Sequence, residues 1–407
     1  MEEFLSSARC SSLPVFSNRK EILVKMLQRI GVALMMAGSL AMAHQAVARS
    51  HRAADRSDQD AAPVKEPVKV FILTGQSNMV GLGAIGPISR KGSLIRAVYR
   101  DHLYPFLLDS SHHWAVSHRI RFVQVISGRK AGYTKKQWDA YWRSHSLNEK
   151  LPKGMMNTWY NQWMTVAKHR FIGPEFGIAH ELSKAVHGPI LILKSCNGNR
   201  SIGWDLLPPG SKNEFYTIHG KTWEYAAYGQ STQMWIKGTP KADRKKVPWY
   251  AGKEFDMDTK FVEYVLANLP KYYPGARSYK IAGIFFWQGE KDLGNPGYAA
   301  HYEKNLTAYI HALRKTLHAP KAPFVLGTLG EAVKGRMKGT ERVILNAQLA
   351  MSNPAVNPDF KGNVATVYTH PYSLGGSGNG HYNHNSQTYM NVGMAMGKAM
   401  VQLLMNK

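Results

Sequence analysis

The stretch Val68-Lys-Val-Phe-Ile-Leu-Thr-Gly-Gln-Ser-Asn78 joins an apolar run to a glycine and a serine. A nearly continuous run of β-branched and aromatic residues is typical of a strand that is buried on both faces of a parallel sheet. Gly75 ends the run, so Ser77 falls just beyond the carboxyl end of the predicted strand. In open parallel sheets, ligands bind at that edge. The stretch therefore predicts both a sheet and a candidate site beside it.

Four more apolar runs share this character: Pro189–Lys194, Ile281–Phe286, Phe324–Thr328 and Val364–Tyr368. Helical patterns lie between the runs. One opens at Gly173-Pro174-Glu175, and two others cover Tyr298–Leu317 and Thr388–Leu404. Alternating strands and helices predict an α/β fold, a three-layer α/β/α sandwich around a mostly parallel five-stranded sheet.

Two long segments interrupt this alternation, at about residues 88–170 and 201–277, and both are rich in Trp, Tyr, His and Lys. We expect two long loop insertions over the carboxyl ends of the strands, where ligands bind. The alternative is that they only cap the sheet.

Composition narrows the class of protein. The chain has 407 residues, of which 44% are hydrophobic and 19% charged, and this excludes a disordered or collagen-like protein. The two cysteines, Cys10 and Cys196, exclude a disulfide scaffold and a four-thiolate zinc site. No apolar run long enough for a membrane span follows residue 50. The net charge of +25 indicates anionic partners or surroundings.

Residues 1–48 have the pattern of a secretory signal. Basic residues precede an apolar stretch that starts at Ile30, and small-residue sites follow at Ala41-Met-Ala43 and Ala46-Val-Ala48. We therefore expect a secreted or periplasmic protein without stable membrane insertion after cleavage; the alternative is an uncleaved anchor. Met26 is an alternative start.

The remaining chain divides into a linker and one domain. Residues 49–66 are polar and aperiodic, which is typical of a flexible linker. The predicted catalytic domain covers residues 67–405.

Three segments besides Ser77 carry candidate site residues. Gly198 follows the second apolar run, and Gln288 follows the third, within Trp287-Gln-Gly-Glu-Lys-Asp292. His381 lies near the end, before the last helical pattern. A serine, two amide-type donors and a late histidine form a set suited to acyl transfer. Alternatively, a serine after a strand is a common helix cap.

These motifs resemble the sialate O-acetylesterase-like domain of the SGNH-hydrolase superfamily, which includes carbohydrate esterase family six. The resemblance is carried by Gly75-Gln-Ser-Asn78, Gly173-Pro-Glu175, Trp287-Gln-Gly-Glu290 and His381, and it spans about residues 67–405. It implies a flavodoxin-like sheet and a serine esterase that hydrolyses acetyl esters on sugars or polysaccharides, with no metal and no organic cofactor.

The resemblance also implies residue roles. Ser77 resembles the nucleophile and His381 the general base. The backbone N–H groups of Ser77 and Gly198, with the Gln288 side chain, resemble the oxyanion hole. The family commonly places an Asp three residues before the histidine, and here that position is Gly378.

The third member of the triad therefore stays open. A backbone carbonyl in the Gly375–Gly380 loop would give a Ser-His dyad, and Glu290 and Asp292 are the other candidates. Glu290 has the alternative role of bracing the loop that presents Gln288. His384 is the rival base, although a helix start just beyond it predicts that it faces outward.

Charge and aromatic residues favour an acetylated, anionic polysaccharide as substrate. A basic run ends beside Trp249 and Tyr250, and another lies near Tyr133 and Trp138. Aromatic rings stack on sugars, and Lys or Arg pair with sulfate or carboxylate groups. The alternative is a generally basic surface. Nucleic-acid binding is disfavoured because no recognised motif accompanies the charge.

Two other functions remain as alternatives. The first is a non-catalytic carbohydrate-binding protein on a decayed esterase fold, which the Gly378 departure favours. The second is a lipase-type hydrolase, which the polar and aromatic insertions disfavour. His381-x-x-His384 could also be a pair of metal ligands, but no further Cys/His cluster completes such a site.

Overall fold

The computed structural model describes residues 63–128, 132–241, 248–376 and 381–406. The predicted signal segment, most of the predicted linker and Gly378 lie outside the described residues. At the start of the described chain, the backbone N–H of Val64 donates to the carbonyl of Gly275 at 2.9 Å.

Twelve strands occur in the described ranges. They are β1 (Val68–Gly75), β2 (Gly83–Ala84), β3 (Ile120–Ser127), β4 (Met156–Trp163), β5 (Phe171–Ile172), β6 (Ile190–Ser195), β7 (Glu214–Ile218), β8 (Lys221–Tyr225), β9 (Met234–Ile236), β10 (Tyr279–Trp287), β11 (Phe324–Gly327) and β12 (Val364–Val367). Seven of them form the central sheet, in the order β12-β11-β10-β1-β6-β3-β4. All neighbours pair in parallel except β3 and β4, which are antiparallel.

The α-helices of the described ranges lie between and after these strands. They are α1 (Ser77–Val80), α2 (Lys135–Ser144), α3 (Glu175–Ala185), α4 (Lys253–Ala267), α5 (Leu269–Tyr272), α6 (Glu290–Leu293), α7 (Pro296–Ala300), α8 (Tyr302–Thr316), α9 (Gly339–Ala350) and α10 (Ser386–Met405). None of these helices is long and apolar enough to cross a membrane.

The five predicted strands are confirmed as β1, β6, β10, β11 and β12, and the mostly parallel sheet is confirmed with them. Taken alone, they lie in the order 2-1-3-4-5, the flavodoxin-like arrangement. The predicted strand count is wrong, because the first insertion contributes β3 and β4 to the same sheet. That segment is therefore only partly a loop.

Polar residues hid β3 in the sequence. Arg121 interrupts its apolar run but is only 2% exposed. Its guanidinium donates to the carbonyl of Tyr272 at 3.2 Å and lies 5.1 Å from the ring centre of Trp163. These partners offset the free-energy cost of burying the charged guanidinium. They are distant in sequence, so a local sequence pattern does not reveal them.

Helices cover both faces of the sheet and complete the three layers. One face packs on α4, α8 and α9, whereas the other packs on α3 and α10. The helix predicted from Gly173-Pro-Glu175 is α3, and the predicted last helix is α10. The predicted helix Tyr298–Leu317 is interrupted at His301 and forms α7 and α8.

The second insertion forms its own small antiparallel sheet, β7-β8-β9. Buried aromatic and apolar side chains pack beneath it, among them Trp204, Tyr225, Trp235 and Tyr298. Since Tyr298 belongs to α7, this small core also packs against the second helix after β10.

Candidate active site

A glycine turn places Ser77 at the switch point of the sheet, between β1 and β10. Gly75 has φ of +143°, and a Cβ atom there would lie 2.3 Å from the carbonyl oxygen of Trp287, so only glycine fits. The N–H of Gln76 then donates to that same carbonyl at 3.1 Å. The turn leaves Ser77 partly exposed at the start of α1, at the edge where open α/β sheets bind ligands.

Gly198 lies directly beside Ser77. A Cβ atom built on Gly198 would be 3.5 Å from the Cβ atom of Ser77. Among the described residues, no hydrogen bond uses the backbone N–H of Ser77 or of Gly198. The structure thus brings two predicted site residues together, and the N–H groups of both are without a hydrogen bond among the described residues.

Glu290 holds both neighbours of Ser77. Its Oε2 atom accepts a hydrogen bond from Gln76 Nε2 at 2.5 Å, and its Oε1 atom accepts one from Asn78 Nδ2. Burial and the nearby carboxylate of Glu331 raise the pKa of Glu290 to about 8. No hydrogen bond joins Glu290 to His381 within the described ranges. The contacts of Glu290 instead hold the turn at residues 75–78, called the serine turn below.

Gln288 is fully buried behind the serine turn. Its Nε2 atom lies 2.6 Å from Asp292 Oδ2, 2.8 Å from the carbonyl of Arg200 and 3.2 Å from Gln76 Oε1. Its Oε1 atom accepts from the Tyr302 hydroxyl at 2.8 Å. The Gln288 amide therefore links the segments that follow β1, β6 and β10.

Asp292 anchors the loop after β6. Its carboxylate accepts the backbone N–H groups of Ile202 and Gly203, each at 3.0 Å, in addition to the Gln288 amide. Burial raises the pKa of Asp292 to about 7, although these hydrogen bonds oppose the rise. Like Glu290, it makes no hydrogen bond to His381 among the described residues.

His381 begins an unusual turn. The four residues from His381 to His384 all have positive φ, between 52° and 60°, although none is glycine. Tyr382 fastens this turn to the serine turn, because its hydroxyl accepts from Asn78 Nδ2 at 3.1 Å and its ring stacks on Trp287. The predicted base and the predicted nucleophile therefore come from segments that contact each other.

The His381 side chain is partly exposed, and within the described ranges no hydrogen bond joins it to Ser77 or to a carboxylate. Burial, and secondly the neighbouring His384, lower the pKa of His381. His384 Nδ1 lies 2.9 Å from the carbonyl of Leu82, so this nitrogen carries the proton and donates. The rings of the two histidines are 6.3 Å apart.

The described residues contain no group of three or more His, Cys, Asp or Glu side chains that could hold a metal ion. Cys196 is buried as a free thiol, and burial raises its pKa well above the ordinary value. His180 stacks on Phe106, with 3.4 Å between the ring centres.

Sequence reasoning missed three residues of the site. Asn78 follows Ser77 directly and Tyr382 follows His381 directly, and this adjacency in sequence could have marked both as site residues. Glu331, whose charge acts on Glu290, follows β11 without any motif around it.

Comparisons with known proteins support the resemblance. Residues 226–402 match the family model described as carbohydrate esterase, sialic acid-specific acetylesterase. Over that segment, the resemblance to sialate O-acetylesterases drawn from the motifs is confirmed. No curated protein matches the chain.

Among solved structures, the chain matches a protein from Arabidopsis thaliana. The two are 16% identical, 82% of this chain and 98% of that chain are covered, and the TM-score is 0.43. A carbohydrate acetylesterase from Xanthomonas citri is 12% identical, with 83% and 57% covered and a TM-score of 0.45. NanS is 15% identical, with 76% and 79% covered and a TM-score of 0.36.

Proposed function

We propose that the protein is an exported carbohydrate O-acetylesterase in which Ser77 is the nucleophile and His381 the general base. One observation carries the proposal: Ser77 lies at the switch point beside two free backbone N–H groups, its own and that of Gly198. Free donors beside a positioned hydroxyl are the arrangement that stabilises a tetrahedral oxyanion. The family match over residues 226–402 supports the same chemistry.

In the proposed reaction, the His381 imidazole takes the proton of the Ser77 hydroxyl while the serine oxygen attacks the acetyl carbonyl. The carbonyl oxygen becomes an oxyanion and accepts from the N–H groups of Ser77 and Gly198. His381 then gives its proton to the leaving sugar oxygen, and an acetyl-serine remains. Water, deprotonated by the same imidazole, attacks this ester, and the imidazolium returns the proton to the Ser77 oxygen as acetic acid leaves and ionises to acetate.

Gln288 is the third proposed oxyanion donor. An amide nitrogen has two hydrogens, and three protein acceptors surround Gln288 Nε2. Donation to the oxyanion therefore requires Gln288 to release protein acceptors. We assign the main stabilisation to the two backbone groups for that reason.

The His381 turn supplies the orientation that an aspartate at position 378 gives in the family. Tyr382 is 3% exposed and bonded to Asn78, so the backbone next to His381 is held against the residue next to Ser77. A backbone carbonyl then suffices to fix the imidazole tautomer, and we propose a Ser-His dyad rather than a triad through Glu290 or Asp292.

The proposed substrate is an acetylated carbohydrate, and the signal pattern of residues 1–48 supports a site of action outside the cytoplasm. The family description names sialic acid, a sugar acid. The net charge of +25 agrees with an anionic glycan.

Acetate release from p-nitrophenyl acetate and from acetylated sugars, by the wild type and by Ser77→Ala, tests this proposal. We expect Ser77→Ala to lose at least about 10³-fold in kcat/KM, since no nucleophile remains. Ser144→Ala, in an exposed part of α2, is the matched control and is expected to keep wild-type activity. Equal inactivity of wild type and Ser77→Ala with intact glycan binding would instead establish the carbohydrate-binding alternative.

A further inference from the structure

Arg200 is held two residues from Gly198, at the rim of the proposed site. Its carbonyl accepts from the Gln288 amide at 2.8 Å, which fixes its backbone beside the oxyanion donors. Two residues span at most about 7 Å between Cα atoms. Arg200 is therefore close enough to Gly198 for one bound glycan to reach both its side chain and Ser77.

A buried carboxylate holds the Nε side of the Arg200 guanidinium, and the side chain is partly exposed. Its Nε atom donates to Glu254 Oε2 at 2.7 Å, and the Glu254 side chain is fully buried. The other Glu254 oxygen accepts from Asn197 Nδ2 at 2.5 Å, so this carboxylate is held at both oxygens. The two terminal nitrogens of Arg200 make no hydrogen bond within the described ranges, and its side chain remains 21% exposed.

An indole ring lies next to this guanidinium. The central carbon of Arg200 is 4.7 Å from the ring centre of Trp249, which is partly exposed. The guanidinium is planar by its own delocalisation, and the cation–π contact with the indole limits its rotation. The second carboxylate behind Arg200, Asp205, is bound by the N–H and hydroxyl of Ser201.

From this geometry we infer that Arg200 and Trp249 form a subsite for the carboxylate of an acidic sugar, which Arg200 binds through its terminal nitrogens. The inference rests on the proposed function and names the substrate class of that site. A rigid guanidinium with two parallel N–H groups free matches a carboxylate in bidentate geometry. The indole holds the guanidinium in place for this contact, and Lys253 Nζ lies 5.0 Å from the same ring centre. The acetyl ester and the carboxylate then belong to the same or to adjacent sugars.

The test compares two substrates that differ only in charge: an O-acetylated methyl glucuronoside and the corresponding glucuronamide. We expect the full-length wild type to prefer the acid at least about tenfold in kcat/KM, because hydrogen bonds to charged groups are worth more than neutral ones. In Arg200→Gln, the acid-to-amide ratio is expected to fall to about one. Arg143→Gln, a basic residue in an exposed part of α2, is the matched control and is expected to keep the wild-type ratio.

Arg200→Lys keeps the charge but not the paired donors, and we expect an intermediate ratio. This variant and the wild-type ratio decide the question if Arg200→Gln does not fold. A wild type that releases acetate from both substrates at equal rates would overturn the subsite while leaving the esterase proposal intact. A stronger preference for an acetylated sugar sulfate would likewise contradict the carboxylate assignment. Release of acetate from neither substrate nor p-nitrophenyl acetate would contradict the esterase proposal itself.

Discussion

At the scale of single residues, the protonation state of His381 sets the pH range in which the proposed base can accept a proton. Burial and the charge of His384 lower its pKa below the ordinary 6.5. A general base must be unprotonated, so activity falls only as the pH drops through that lowered pKa. The carboxyl group that holds the serine turn titrates at higher pH, because the pKa of Glu290 is raised to about 8.

We therefore predict that the acid limb of kcat/KM for p-nitrophenyl acetate lies below pH 6.5. In His384→Asn, this limb is expected to move to higher pH, because a neighbouring positive charge no longer opposes protonation of His381. Asparagine keeps an N–H donor for the carbonyl of Leu82. Rate profiles from pH 4 to 9 measure the shift, and a limb that stays in place in the variant would show that His384 does not act on the base.

At the scale of elements, each segment of the site is held by the hydrogen bonds of a different buried side chain. The serine turn is braced by Glu290, the loop after β6 by Asp292 and the histidine turn by Tyr382. A further tie explains the Gly173-Pro-Glu175 motif. Glu175 forms a fully buried ion pair with Lys194, and Lys194 also donates to the carbonyl of Val80, at the end of α1.

Removal of the tie at Tyr382 is expected to slow catalysis without a large loss of stability. Tyr382→Phe keeps the stacking on Trp287 and removes the hydroxyl that accepts from Asn78 Nδ2 and from the N–H of Gly330. We predict a fall in kcat of about 10²-fold with little change in KM, the order that a misplacement of about 1 Å costs. Single-substrate kinetics and urea unfolding separate the two effects.

Tyr389→Phe is the matched control for that variant. Tyr389 is buried beside Tyr382, and among the described residues its hydroxyl has no hydrogen-bond partner. The control is expected to keep wild-type kcat. If Tyr382→Phe also kept it, the turn would not depend on the Tyr382 hydroxyl for its position.

At the scale of the whole molecule, the net charge of +25 acts on any polyanionic substrate before contact. Such a field raises the rate of encounter and is screened by salt within about 10 Å at 0.1 M. We predict that kcat/KM for an acetylated polyuronate falls steeply between 0.05 and 0.5 M NaCl. The same constant for acetylated neutral xylan is expected to change little, and parallel decreases for both polymers would show that the charge does not select the substrate.

The sequence was sufficient for the strands that carry a nearly continuous apolar run. It predicted β1, β6 and β10, and with them the proximity of Ser77 and Gly198, because neighbouring parallel strands end at one edge. It did not predict β3, because the burial of Arg121 depends on partners up to 151 residues away.

The histidine turn marks the same limit within the site. His and Asn are enriched among non-glycine residues with positive φ, but this preference does not predict four such residues in succession or the contact between Tyr382 and Asn78. Nor could spacing decide what Glu290 and Asp292 contact. Both were candidates to orient His381, and in the structure their described hydrogen bonds hold the serine turn and the loop after β6 instead.

Asn78 touches groups that are 212 and 304 positions further along the chain, at Glu290 and Tyr382. A polypeptide leaving the ribosome therefore carries the proposed nucleophile long before the proposed base, which arrives just ahead of α10. In the proposed mechanism, a nascent chain lacks its general base until this late segment has been synthesised.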